Sequence, residues 1–140
     1  MIRHTWSILC DSSVIDAETN TLSIRNIVEK ITITSSEKLP EKAAIPMALE
    51  VTSFWEKNDK DALDFQSKVD IFNSSKECLR SNEFQLKFEE GNNRLRSRIK
   101  MSTLPFAGEG EYRIKVSFKT SGVKDWMEAA DIPFDVVVKN

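Results

Sequence analysis

The chain has 140 residues, with 20 Lys plus Arg, 22 Asp plus Glu, one His and two Cys. This length suits one domain over 1–140 that can bury a core without staples, and a net charge of −2 argues against nucleic-acid or membrane binding by bulk charge. The start, MIRHTWSILCDSS, lacks a signal-peptide apolar run before Asp11, and no stretch approaches the roughly 18 apolar residues of a membrane span, so a cytoplasmic setting is expected.

Along the chain, apolar residues recur mainly with period two, the mark of strands that bury one face. The first third reads as short strands: HTWSILC, then VID, then TLSI continuing to NIVEKITI. Between Ile15 and Leu22 lies DAETNTLS (16–23), whose carboxylates and hydroxyls suggest chemistry. A turn explains them more simply, because Asp16 can accept backbone N–H bonds and Asn20 tolerates a left-handed conformation. SSEKLPEKAA (35–44) lacks strand character and has room for one helical turn. IPMALEVTSFWE (45–56) puts Met47, Leu49, Val51 and Trp55 on one face, and after the polar bend KNDKD, LDFQSKVDI (63–71) does so with Leu63, Phe65, Val69 and Ile71.

NSSKECLRSN (73–82) again shows no clear alternation. EFQLKFE (83–89) alternates Phe84, Leu86 and Phe88 with polar residues, and RLRSRIKM (94–101) alternates Leu95, Ile99 and Met101 with cations. The tetrapeptide EGNN between them reads as a hairpin turn. EYRIKVSFK (111–119) carries Tyr112, Ile114, Val116 and Phe118 inward, and IPFDVVVK presents Phe134, Val136 and Val138. Seven to nine short strands without a long amphipathic helix predict an all-β fold, an antiparallel two-sheet sandwich of immunoglobulin-like or C2-like kind. LPFAGEGEY (104–112) places a Pro/Gly-rich corner before Tyr112, as in a tyrosine corner. The antibody disulfide is not expected, since Ile114 stands two residues on.

A resemblance supports this fold. CDSSVIDAETNTLSIRNIVEKITI (10–33) resembles the start of a family of small uncharacterised bacterial single-domain proteins, with Cys10, Asp11, Asp16, Thr19, Asn20, Leu22, Ser23 and Asn26 matching its pattern. Gly-x-Tyr at 110–112 and IPFDVVV (132–138) are similar to its carboxyl-terminal third, whereas 40–100 matches only in strand periodicity. The resemblance implies a sandwich in a bacterial cytosol and transfers no active site.

The most distinctive surface feature is basic. Arg94, Arg96, Arg98 and Lys100 are two apart, so a strand holds all four on one face, where guanidinium groups could grip oxyanions. If EGNN closes a hairpin, Glu89 lies across from Arg94, Lys87 from Arg96, Gln85 from Arg98 and Glu83 from Lys100, leaving a face of net +3. Such a face is either a solvated, charge-rich sheet surface or a surface for an anion or partner. Nucleic acid is disfavoured because no exposed aromatic residues interleave with the cations.

Other candidates have plainer readings. NDKDALD (58–64) offers Asp59, Asp61 and Asp64, yet has neither the glycine nor the twelfth-position glutamate of an EF-hand, and reads as a solvated loop. His4, the sole histidine, shares a strand face with Trp6, Ile8 and Cys10 in a simple strand and lacks a catalytic partner nearby in sequence. Cys10 and Cys78 form no CxxC or Cys/His set and read as free buried thiols. Trp126, in the loop SGVKDWMEAADIP, reads either as an interface anchor or, preferably, as a plug under the sandwich end. The four glycines make no phosphate loop. Catalytic residues, metal ligands and cofactors are therefore not assigned, although an enzyme would require Asp16, Asp11 and His4 to converge. The function expected is a non-catalytic binding or scaffolding module for a protein partner or for itself. The alternative is a binder of small anions or phospholipid head groups through Arg94, Arg96, Arg98 and Lys100.

Overall fold

The computed structural model describes residues 1–140 and contains nine strands and no helix. In chain order they are β1 (Arg3–Ile15), β2 (Leu22–Ile27), β3 (Lys30–Thr34), β4 (Ala43–Glu56), β5 (Asp64–Phe72), β6 (Cys78–Lys87), β7 (Arg94–Phe106), β8 (Gly110–Thr120) and β9 (Met127–Lys139). They build a four-stranded sheet, β2-β1-β4-β7, and a five-stranded sheet, β3-β9-β8-β5-β6.

Alternation dictates the core. Tyr112, Ile114, Val116 and Phe118 on β8 meet Phe65, Val69 and Ile71 of β5 and Leu49, Val51 and Trp55 of β4 in a single cluster of 19 buried apolar residues. Removal from water stabilises the fold by about 1.5–3 kcal/mol for each large aliphatic or phenyl group. Trp55 is fully buried and joins the sheets, its ring 4.9 Å from Phe65 and 5.3 Å from Phe118. Its indole N–H donates to Ser97 Oγ at 2.9 Å, so the polar end of this core residue is satisfied.

The Tyr112 hydroxyl donates to Gly108 O at 2.7 Å and accepts from the Ala107 N–H at 2.8 Å. The phenol thus ties the start of β8 to the preceding bend, as LPFAGEGEY suggested.

Several expectations are corrected. The five-stranded sheet is mixed, because β3 runs parallel to β9 from Lys30 opposite Asp135 to Thr34 opposite Lys139. A parallel pair needs a long connection, and most of the chain lies between these two strands. HTWSILC and VID fuse into one strand of 13 residues. No helical turn forms in 35–44, and half of 73–82 is strand from Cys78 onward.

EGNN is not a hairpin turn within one sheet. β6 pairs with β5, placing Lys87 opposite Asp64, Gln85 opposite Gln66 and Glu83 opposite Lys68. β7 pairs instead with β4 in the other sheet. The segment crosses between sheets because both strands must turn their apolar sides to the shared core, and alternation alone does not choose a strand's neighbour.

Candidate functional site

The basic row lies on the outer face of the four-stranded sheet, where cross-strand register sets its neighbours. Arg94 is opposite Glu56, Arg96 opposite Phe54, Arg98 opposite Thr52 and Lys100 opposite Glu50. One strand further, Phe54 faces Trp6, Thr52 faces Ile8 and Glu50 faces Cys10. All four predicted cations therefore share one face, but the register predicted for them is replaced entirely.

No carboxylate lies within ion-pair distance of any of the four, while Arg3, Lys42, Lys68 and Lys115 each have one and Arg113 has two. Glu56, the nearest candidate for Arg94 by register, is held by Arg3 at 3.3 Å. Glu83 belongs to the other sheet, and Glu89, beyond the end of β6, borders the same cleft as Arg94 without an ion pair to it, so neither expected cross-strand pair forms.

Two cations have neutral acceptors supplied by the opening polar loop and the strand before it. Arg96 donates to Asn20 O at 2.9 Å and to Asn20 Oδ1 at 3.4 Å; Arg98 donates to Ser13 O and Ser13 Oγ, both at 3.3 Å. The β1–β4 ladder ends where Cys10 meets Glu50, and beyond it β1 pairs only with β2. Contacts from Ser13 and Asn20 to cations level with Thr52 and Phe54 thus require the β1–β2 hairpin to fold back across the outer face.

This fold-back buries an outward-facing carboxylate. Glu50 is 1% exposed, Thr52 and Cys10 are fully buried, and Ser13 is nearly so. Glu50 Oε2 accepts from Ser13 Oγ and Thr52 Oγ1, whereas Oε1 has no partner. Burial pushes the Glu50 carboxyl upward, but the two hydroxyls and the charges of Arg98 and Lys100 outweigh it and hold the group below the usual carboxylate range. The Cys10 thiol is driven up by the same burial, partly countered by Thr52.

Beside the hairpin tip opens a cleft of about 460 Å³ lined by Ile15, Asn20, Phe54, Glu89, Asn92, Arg94, Leu95 and Arg96. Two guanidinium groups and two amides here border apolar side chains, and with Glu89 as the one carboxylate the lining stays net positive, which suits an oxyanion on a partly apolar carrier. Arg94 and Arg96 line it; Arg98 and Lys100 do not.

The remaining candidates lie elsewhere. A bulge between His4 and Trp6 reverses the strand's facing, so His4 turns to Trp55 with ring centroids 5.1 Å apart while Trp6 stacks on Phe54 outside. His4 does have a close partner: Nε2 is 2.7 Å from Ser7 Oγ, itself 2.6 Å from Ser53 Oγ. Burial lowers the His4 pKa, opposed by a hydrogen bond with the Trp6 backbone. Asp11 accepts from Asn26 Nδ2, and Asp16 caps its own turn through the Glu18 and Thr19 N–H groups. His4, Asp11 and Asp16 are therefore engaged separately and do not assemble. Asn20 has φ +58°, as its turn role required.

Asp61 accepts from the Asn58 N–H and Met1 amino group, and Asp59 accepts from Asn93. Cys78 is exposed, contrary to expectation. Nor is Trp126 a plug over the sheet end. It lies on the outer face of the five-stranded sheet, 4.8 Å from Lys68 Nζ and 4.6 Å from Lys119 Nζ. Glu50, Ser13 and the His4–Ser7–Ser53 chain escaped sequence reasoning, since a Glu between Leu49 and Val51 looks like any solvent-facing strand residue. No protein-family model matches the chain, and no curated protein matches its sequence.

Proposed function

We propose that the protein is a non-catalytic binding module, an immunoglobulin-like sandwich that engages a protein partner through the outer face of its four-stranded sheet. Arg94, Arg96, Arg98 and Lys100 are the contact residues. The supporting observation is that these four cations share a strand face without a carboxylate within ion-pair distance, beside a cleft that admits part of a ligand. Unneutralised guanidinium groups in a row favour oxyanion-bearing surfaces. The immunoglobulin-like assignment draws on two sheets around a shared core and on the Tyr112 corner. The bacterial family and cytosolic setting implied by residues 10–33 belong to the same proposal.

A second reading is a small anionic ligand such as a phosphate-bearing head group, favoured by the concavity where Arg94, Arg96, Asn20 and Asn92 converge. Quantitative affinity capture with the native chain and with Arg94→Gln/Arg96→Gln/Arg98→Gln/Lys100→Gln tests the main reading. A partner retained by the first and lost by the second supports it, and capture that is identical for both overturns it. Titration with inorganic phosphate tests the second reading, which requires saturable binding abolished by Arg94→Gln/Arg96→Gln.

A further inference from the structure

Resting on that proposed function, we infer that the Arg94–Lys100 row is a track for an extended acidic segment of a partner protein, and that the β1–β2 hairpin holds part of this track until the segment displaces it. The spacing defines the occupant. Alternate strand residues are about 6.6–6.8 Å apart, the same interval that separates every second side chain of another extended chain. An occupant with Asp or Glu at alternate positions matches the row in register. Its carboxylates accept more strongly than neutral groups do and can take each guanidinium in bidentate fashion.

The hairpin already shows what the track accepts. Asn20 O and Oδ1 sit on Arg96, and Ser13 O and Oγ on Arg98. All are neutral oxygens, so exchange for carboxylates improves the electrostatics at both positions. The hairpin is also lightly anchored. β2 pairs only with β1, four of its six residues are exposed, and Ile27 and Val14 remain 60% and 41% exposed. Few buried apolar contacts mean a low cost of local opening. Closure moreover leaves Glu50 Oε1 dry and without a partner, a cost that opening relieves by admitting water. With the hairpin displaced, the face carries Arg3, Arg94, Arg96, Arg98 and Lys100 against Glu50 and Glu56, which Arg3 already holds, and stays positive.

Hydrogen exchange and peptide titration test this together, using hexaglutamate as the probe and hexaglutamine as its control. Amides of residues 11–26 are expected to exchange faster than those of β5 and β8, and Ser13→Ala is expected to accelerate them at least about fivefold, the effect of losing one ordinary hydrogen bond. Hexaglutamate affinity should rise by a similar factor in Ser13→Ala and fall as salt is raised. Asn20→Gly, which suits the positive φ there, loosens the Arg96 contact without touching Glu50 and should act in the same direction. Hairpin amides exchanging only with β5 and β8, or equal affinity in native and loosened proteins, overturn displacement while leaving the basic face intact. Absence of hexaglutamate binding in all three, or binding unaffected by Arg96→Gln/Arg98→Gln, overturns the acidic occupant and the proposed face with it.

Discussion

Tyr112→Phe isolates the contribution of the corner. The ring is fully buried and packs against Phe134 with centroids 5.6 Å apart, so removing one oxygen preserves the apolar contact and opens little space. Two hydrogen bonds are lost, one to Gly108 O and one from the Ala107 N–H, and their backbone partners are left short. Ordinary bonds contribute roughly 0.5–1.5 kcal/mol each, so the pair amounts to about 1–3 kcal/mol. For 140 residues, an unfolding entropy near 2.1 cal/mol/K per residue gives about 0.3 kcal/mol/K, and the expected fall in Tm is about 3–10 °C.

Differential scanning calorimetry measures the fall directly, and urea unfolding should show a lower midpoint with an unchanged slope. Alkaline pH supplies an internal check. Burial raises the Tyr112 pKa, opposed by the Ala107 N–H, so the neutral phenol's contribution is present below the unfolded value near 10 and is lost as pH rises through the folded one. Stability of the native chain should therefore approach that of Tyr112→Phe above about pH 10. A Tm within about 1 °C of the native value at neutral pH would refute the reasoning, since it would mean that the two bonds contribute less than the smallest ordinary pair.

Gly110→Ala should destabilise the fold severely, by roughly 2–4 kcal/mol in urea unfolding, because φ is +134° and the new Cβ would stand 2.7 Å from Ser74 Cβ. Gly122→Ala, at φ +82° in open space, should cost only about 1 kcal/mol. His4, whose pKa burial lowers, contributes stability that is present above its unfolded pKa near 6.5 and lost as pH falls through the lower folded value. His4→Gln should accordingly flatten the stability profile between about pH 7 and pH 5, and an unchanged slope there would remove the assignment. Glu50, held below its ordinary range by Ser13 and Thr52 despite burial, contributes above its unfolded pKa and is lost only as pH falls below about 4. Urea midpoints for Glu50→Gln should be insensitive to that acid step.

Strand parity was legible because it is a local property. Tyr112, Ile114, Val116 and Phe118 can face one way only if the chain is extended, and all four are buried; the same rule put Arg94, Arg96, Arg98 and Lys100 together on the other side of their strand. Parity fails where one backbone irregularity shifts it, as the bulge after His4 does by turning that ring toward Trp55 and Trp6 away from it. It is also silent about neighbours. Glu83 and Lys100 could face each other across a hairpin with equally good alternation, yet they lie in different sheets because the core needs both apolar faces turned inward.

The same distinction separates the legible part of the candidate site from the rest. A run such as RLRSRIK places cations on a face, but what meets them is decided by contacts far away in sequence: Asn20 reaches Arg96 across 76 positions and Ser13 reaches Arg98 across 85. DAETNTLS was legible as a turn because Asp16 and Asn20 satisfy its backbone locally. Its position over the row depends instead on β1 leaving β4 after Cys10, beyond which Ser13 and Asn20 can reach Arg98 and Arg96. Glu50 follows from that same departure, since an outward carboxylate on a half-buried strand becomes a dry one when a hairpin folds over it. The residues whose roles are least apparent in the sequence are thus those on which hairpin displacement turns, and perturbing Ser13 or Asn20 probes the face more selectively than removing its cations.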